Sequence, residues 1–157
     1  MIYTNPKVHI SLNVKDINES VRFYQKMFDV KPVKHFGDYA KFDVTSPPLN
    51  LVLNQTDFSG GGSLSHLGVQ VFSTDEVLAT RDKWIKSGLL TLDEMQVDCC
   101  YAKQDKTWVK DPDGNEWEVF VVLDDVPEDE MNGTESSCCQ PKLNGVGKQV
   151  GSVQNCC

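Results

Sequence analysis

The sequence predicts an α+β domain built from two βαβββ modules, and three observations carry that prediction. The order strand, helix, then three strands is written twice. Each helix opens behind a side-chain cap of the same spacing. The composition then changes abruptly near Asp124, so that residues 1–123 read as the folded part. Modules at about 5–56 and 63–123 make an internal repeat, and two such units can close one sheet around a shared cavity.

The elements follow in order. VHISLNV (8–14) alternates apolar and polar residues with period two, as a half-buried strand does. Asp16 with Glu19 three residues on forms a capping-box-like helix start, and Ile17, Val21, Tyr24 and Phe28 then fall at helical spacing. Short strands are expected around 33–36, 39–44 and 50–53. The second copy begins with SHLGVQV (65–71). Ser73 and Glu76 repeat the cap spacing, and Ser87-Gly88 marks the helix end, glycine being the usual residue at that position. Strands near 90–95, 101–109 and 115–122 complete the module. From 124 to 157 the chain is rich in Gly, Ser, Asn and acidic residues without periodicity. Such a stretch buries too little apolar surface to offset its ordering entropy, and it predicts a disordered acidic tail.

At 157 residues there is room for one domain with a sizeable core. The net charge of -8 argues against nucleic acid and anionic membranes as partners. No apolar run reaches the length of a membrane span, and the opening MIYTNPKVHI carries no signal-peptide pattern. All six cysteines come as three adjacent pairs: Cys99-Cys100, Cys138-Cys139 and Cys156-Cys157. Direct neighbours seldom meet the geometry of an unstrained disulfide. Two thiolates side by side suit a soft, thiophilic ion. Reduced paired thiols place the expected location in the cytoplasm.

Strand alternation sorts the residues by face. In the first strand Val8, Ile10, Leu12 and Val14 share one side, and His9, Ser11 and Asn13 share the other. The matching strand sets Leu67, Val69 and Val71 against His66, Gly68 and Gln70. The last strand sets Trp117, Val119 and Val121 against Glu116, Glu118 and Phe120. One histidine on an apolar strand is most simply structural. Two at equivalent repeat positions, joined by a strand glutamate, point to a metal held by His9, His66 and Glu118. Two histidines and a carboxylate form the facial set of non-haem Fe(II) oxygenases, and the same donors also suit Zn, Ni, Co or Mn. His35 has no counterpart and reads as a surface residue. Asn13, Gln70 and Tyr101 are position-only candidates for steering oxygen chemistry.

The modules differ in length. His9 to Asn50 spans 41 positions, whereas His66 to Asn115 spans 49. The eight extra residues are expected around MQVDCCYAKQDK, as an irregular loop presenting Cys99 and Cys100 towards the metal. Lys103 and Lys106 are the neighbouring cations that would favour thiolates.

The twofold module closed by KDPDGNEWEVF (110–120) resembles the vicinal oxygen chelate superfamily, whose members include glyoxalases, bleomycin resistance proteins and dioxygenases. Combined with His9, His66 and Glu118, the stretch TLDEMQVDCCYAKQDKTWVKDPDGNEWE (91–118) is similar to one branch, the organoarsenical C–As lyases, also described as cadmium-induced proteins. The likeness runs from Lys7 to about Val122, and CCYAxQDKxW is its discriminating part. The resemblance implies a vicinal oxygen chelate fold and an enzyme with Fe(II) on His9, His66 and Glu118. It further implies a trivalent organoarsenical, such as methylarsenite or an aromatic arsenite, on Cys99 and Cys100. Dioxygen would be co-substrate, and the products would be arsenite and an oxidised carbon fragment, an arsenic-detoxifying reaction. Cys138, Cys139, Cys156 and Cys157 are similar to tail cysteine pairs of some members, an accessory metalloid site on that reading. The superfamily includes homodimers, and the sequence leaves monomer and homodimer open.

Two other classes fit parts of the pattern. A cadmium- or arsenite-sequestering protein would use the cysteine pairs without turnover. Another metal-dependent dioxygenase or lyase of the superfamily would use the histidines and glutamate and give Cys99-Cys100 no role.

Overall fold

The computed structural model describes residues 6–59, 63–99 and 102–125. The order of elements is β1 (Val8–Val14), α1 (Ile17–Phe28), β2 (Lys34–Phe36), β3 (Tyr39–Val44) and β4 (Leu49–Gln55). The second module gives β5 (Leu67–Gln70), α2 (Thr74–Lys86), β6 (Leu92–Cys99), β7 (Ala102–Lys110) and β8 (Glu116–Asp125). Two βαβββ modules are therefore present. Each makes a four-stranded sheet, in the orders β1-β4-β3-β2 and β5-β8-β7-β6. The first and last strand of each module pair in parallel, and the remaining pairs are antiparallel.

Both helix starts are capped as their spacing predicts. Asp16 Oδ1 accepts from Glu19 N at 2.9 Å, and Ser73 Oγ accepts from Glu76 N at 3.2 Å. These bonds satisfy backbone donors that the first helical turn cannot. In α2 the Glu76 carboxylate reaches back to Phe72 N at 2.7 Å. That helix ends where expected, with Gly88 at φ +80° and Leu89 N donating to Trp84 O at 2.9 Å. The first helix instead ends on Asp29 in the left-handed region, at φ 55°.

The helices join the modules. On α1, Ile17, Val21, Phe23, Tyr24 and Met27 are buried, and they merge with Val77, Trp84, Trp117, Val119 and Val121 in one core. Tyr24 and Phe28 meet the Trp117 indole edge-on, with centroids 6.2 and 5.7 Å apart. Trp84 Nε1 donates to Met27 O at 2.8 Å. The residues on the opposite sheet faces look away from this core: His9, Ser11, Asn13, Gly68 and Gln70 are exposed.

The DPDGN turn between β7 and β8 has a structural job in this junction. Buried Asp111 accepts from Asp113 N, Asn115 N and Asn115 Nδ2 at 2.8–3.0 Å, and from Tyr24 Oη at 2.6 Å. Gly114 takes φ +92°, a region open to glycine at no steric cost. Asp113 in turn accepts from Lys15 N at 3.1 Å and from Ser20 Oγ at 3.4 Å. The first module is thus hydrogen-bonded to the turn that ends the second.

Where an irregular loop is expected, β6 runs to Cys99 and β7 starts at Ala102, the two strands pairing antiparallel. β6 has eight residues against three in β2, so the extra length of the second module is strand. Val97, Asp98 and Cys99 pair with Gln104, Lys103 and Ala102, and this ladder satisfies backbone groups that an irregular loop would leave to water. A bulge at Met95-Gln96 interrupts it, with Gln96 at φ 55°. Asp105, 1% exposed, holds that bulge: its Oδ1 accepts from Gln96 N at 2.7 Å, and its Oδ2 accepts from Thr74 Oγ1 at 2.5 Å. β8 runs on to Asp125, past the expected boundary at 123, because Lys103 and Ala102 pair with Asp124 and Asp125. The side chain of Cys99, residues Cys100 and Tyr101, and the tail with Cys138, Cys139, Cys156 and Cys157 lie outside the described residues.

Candidate active site

Glu118 stands at the centre of the second sheet, flanked on both sides. Its register partners are Gly68 on β5 and Trp108 on β7. His66 immediately precedes β5, and its Nε2 lies 3.5 Å from Glu118 Oε1. The other carboxylate oxygen, Oε2, lies 3.5 Å from Lys106 Nζ. Glu118 is 7% exposed and Lys106 2% exposed, so an acid and a base are buried together. Burying one without a partner would cost several kcal/mol, about what ion desolvation takes in a protein interior.

Trp108 forms the wall of this group. Its ring meets the His66 imidazole edge-on at 5.2 Å, and Lys106 Nζ lies 5.5 Å from its centroid. The indole is fixed by Nε1 donating to Glu94 Oε2 at 3.1 Å. The neighbouring Thr107 anchors the other side of β7, donating to Asp93 Oδ1 at 2.7 Å.

Both expected metal histidines are engaged through Nδ1. His66 Nδ1 contacts Ser65 Oγ at 3.1 Å, and His9 Nδ1 lies 3.1 Å from Asn50 O. A carbonyl only accepts, so His9 donates this bond from Nδ1. Fixing one ring nitrogen in this way orients the other for a metal.

Two of the three expected ligands are thus brought together and the third is not. His66 and Glu118 face one another on the second sheet, whereas His9 is exposed on β1 of the first. Among the described residues no three His, Cys, Asp or Glu side chains gather so that they could hold a metal ion. His35 sits exposed on β2, as its lack of a counterpart suggests. The donor chemistry of His66 and Glu118, imidazole nitrogen with carboxylate oxygen, fits Fe(II), Co, Ni or Zn.

The sequence reading missed Trp108 and the pairing of Lys106 with Glu118. The missing signal was hairpin register: DPDGN closes β7 onto β8 with Lys110 opposite Glu116, and stepping back two residues puts Trp108 opposite Glu118.

Comparison with known proteins gives this arrangement a family. Residues 8–119 match the model of the Glyoxalase/Bleomycin resistance protein/Dioxygenase superfamily. A relative from Bacillus subtilis (strain 168), named probable trivalent organoarsenical cleaving enzyme, is 44% identical, covering 96% of this chain and 98% of its own. One from Bacillus sp. (strain MD1), named trivalent organoarsenical cleaving enzyme, is 41% identical over 95% of this chain and 97% of its own. Among solved structures, a glyoxalase/bleomycin resistance protein/dioxygenase from Alicyclobacillus acidocaldarius superposes with a TM-score of 0.63. It covers 79% of this chain and 96% of that one at 16% identity, a likeness of fold. The chain belongs to the glyoxalase/bleomycin resistance protein/dioxygenase superfamily, in the branch of the relatives named for organoarsenical cleavage.

Proposed function

We propose that this chain is an Fe(II)- and dioxygen-dependent enzyme that cleaves the C–As bond of trivalent organoarsenicals, releasing arsenite. The observation that carries this reading is the His66–Glu118 pair, at 3.5 Å, on the same sheet as the hairpin strand ending at Cys99. The names of the relatives at 41% and 44% identity supply the substrate class.

His66 and Glu118, with His9, would hold the ferrous ion, and Cys99 with Cys100 would hold arsenic as thiolates. Bound iron would supply binding and activation of dioxygen. Holding arsenic by sulfur while its carbon substituent points to the metal is catalysis by positioning. The Lys106 ammonium keeps the Glu118 carboxylate balanced, and the Trp108 indole closes the site on the β7 side and excludes water. For a methyl substituent the balance is simple: methylarsenous acid and dioxygen give formaldehyde and arsenous acid. The tail pairs Cys138-Cys139 and Cys156-Cys157 would raise the local concentration of metalloid by tethering.

His9 reaches the site from a second copy in this reading. β1 and β5 are edge strands, and the exposed faces with His9 and with His66 belong to different sheets of one chain. A twofold pairing of chains sets one such face against the other. A cytoplasmic location follows from the need for reduced thiols.

Arsenic speciation after incubation of the Fe(II)-loaded protein with methylarsenite, in air and under nitrogen, tests the proposal. Arsenite formed only in air supports it. Stoichiometric binding without arsenite would favour the sequestration reading that the three cysteine pairs also fit.

A further inference from the structure

The geometry points to Gly68 and Trp108 as positioning residues that fix where the Glu118 carboxylate lies. This inference rests on reading Glu118 as a metal ligand and deepens it. In the sheet the three residues sit side by side, Gly68 on β5, Glu118 on β8 and Trp108 on β7. The two flanks are opposite in size. On the β7 side stands the indole, buried to 1% exposure and held by Glu94. On the β5 side there is no side chain at all.

The Glu118 side chain occupies the space that the glycine leaves. A Cβ at position 68 would stand 2.9 Å from Glu118 Cγ and 3.1 Å from Oε1. The first distance is one that real Cβ atoms essentially never show. Oε1 is also the oxygen that faces His66 Nε2. The carboxylate therefore reaches the imidazole by lying across β5 at residue 68. Glycine in a strand interior weakens the strand, and its usual reason is the close approach of another group. Here that group is the carboxylate itself. Gly68 carries no left-handed backbone angle, so its φ and ψ do not demand glycine and the clearance does.

Trp108 supplies the opposing constraint. With the indole fixed by Glu94, the β7 side of Glu118 is filled. A large residue on one flank and none on the other select one direction for the carboxylate, towards His66. Support of this kind around metal ligands typically changes affinity by about 10- to 100-fold.

The test compares the full chain with G68A, W108F and E118Q, by Co(II) titration followed by calorimetry and visible absorption, with thermal unfolding of the metal-free proteins. Alanine adopts ordinary strand angles, so G68A should unfold within a few degrees of the parent. Its Co(II) affinity should fall about tenfold or more, with a changed Co(II) spectrum. W108F keeps the glycine but thins and unanchors the wall, and its affinity should fall several-fold. It decides the matter should G68A fail to fold. Parental Co(II) affinity in folded G68A, or in W108F where G68A does not fold, together with a large loss in E118Q, would overturn the inference. Parental affinity in E118Q would overturn the metal reading on which it stands.

Discussion

Lys106 Nζ lies 3.5 Å from Glu118 Oε2, with both side chains almost wholly out of solvent. The same carboxylate meets His66 through its other oxygen. A cation thus lies beside the carboxylate that the proposed function gives to iron. Replacing the lysine with methionine leaves a buried negative charge without this counter-charge, which costs about 3 kcal/mol. For a domain of this size the metal-free melting temperature of K106M should drop by roughly 10 °C. Excess Co(II) should restore more stability to K106M than it adds to the parent, because a bound cation stabilises the folded state by mass action. Differential scanning calorimetry with and without Co(II) reads both effects.

Separation of His9 from the His66–Glu118 pair makes a sharper forecast. H9A and E118Q should each be inactive alone. After co-refolding, about a quarter of the sites should be intact, since half the dimers are mixed and each mixed dimer has one complete ligand set. Activity recovered to about that level in an equimolar mixture supports the composite site. No recovery in a mixture shown to contain mixed dimers would place all three ligands in one chain.

The bond from Tyr24 Oη to Asp111 ties α1 to the DPDGN turn. Burial, and then the negative charge of Asp111, push the Tyr24 phenol well above its ordinary range near 10. Its folded pKa is raised, so the stability it contributes is complete below about pH 10 and is lost as pH rises from there towards the folded value. The parent should therefore lose stability at alkaline pH faster than Y24F does. At neutral pH, Y24F should be less stable by about 1.5–3 kcal/mol, the range for a hydrogen bond to a charged group. Urea unfolding at pH 7 and pH 10.5 measures both arms (roughly half a unit above the ordinary phenol value).

Serine at both Cys99 and Cys100 separates arsenic chemistry from other chemistries of the superfamily. The double variant should lose methylarsenite capture and cleavage altogether. Its Co(II) affinity should stay within about twofold of the parent, because the donors that hold the metal are imidazole and carboxylate. Retained cleavage would remove the thiols from the mechanism.

Much of this was legible in the residues themselves. Asp16 with Glu19 and Ser73 with Glu76 announced both helices, since a cap is a local bond and needs no tertiary knowledge. Strand alternation set Gly68 and Gln70 on the face away from the core, and both are exposed. The hairpin at Cys99 was not legible. Its irregularity is a bulge at Gln96, a residue type that seldom signals a positive φ, and the bulge is held by Asp105 and Thr74 from elsewhere in the fold. The separation of His9 from Glu118 was equally hidden. Two sheets that could close on each other within a chain instead share a core through Tyr24, Trp84 and Trp117, a choice made by tertiary packing.

Oxidative cleavage of carbon from arsenic fixes a stoichiometry that can be measured. With Fe(II)-loaded protein and methylarsenite in limiting dioxygen, arsenite, formaldehyde and dioxygen consumed should be measured together. The three should rise in equal amounts and stop when dioxygen is exhausted. Arsenite released without dioxygen consumption, or dioxygen consumed without formaldehyde, would contradict it.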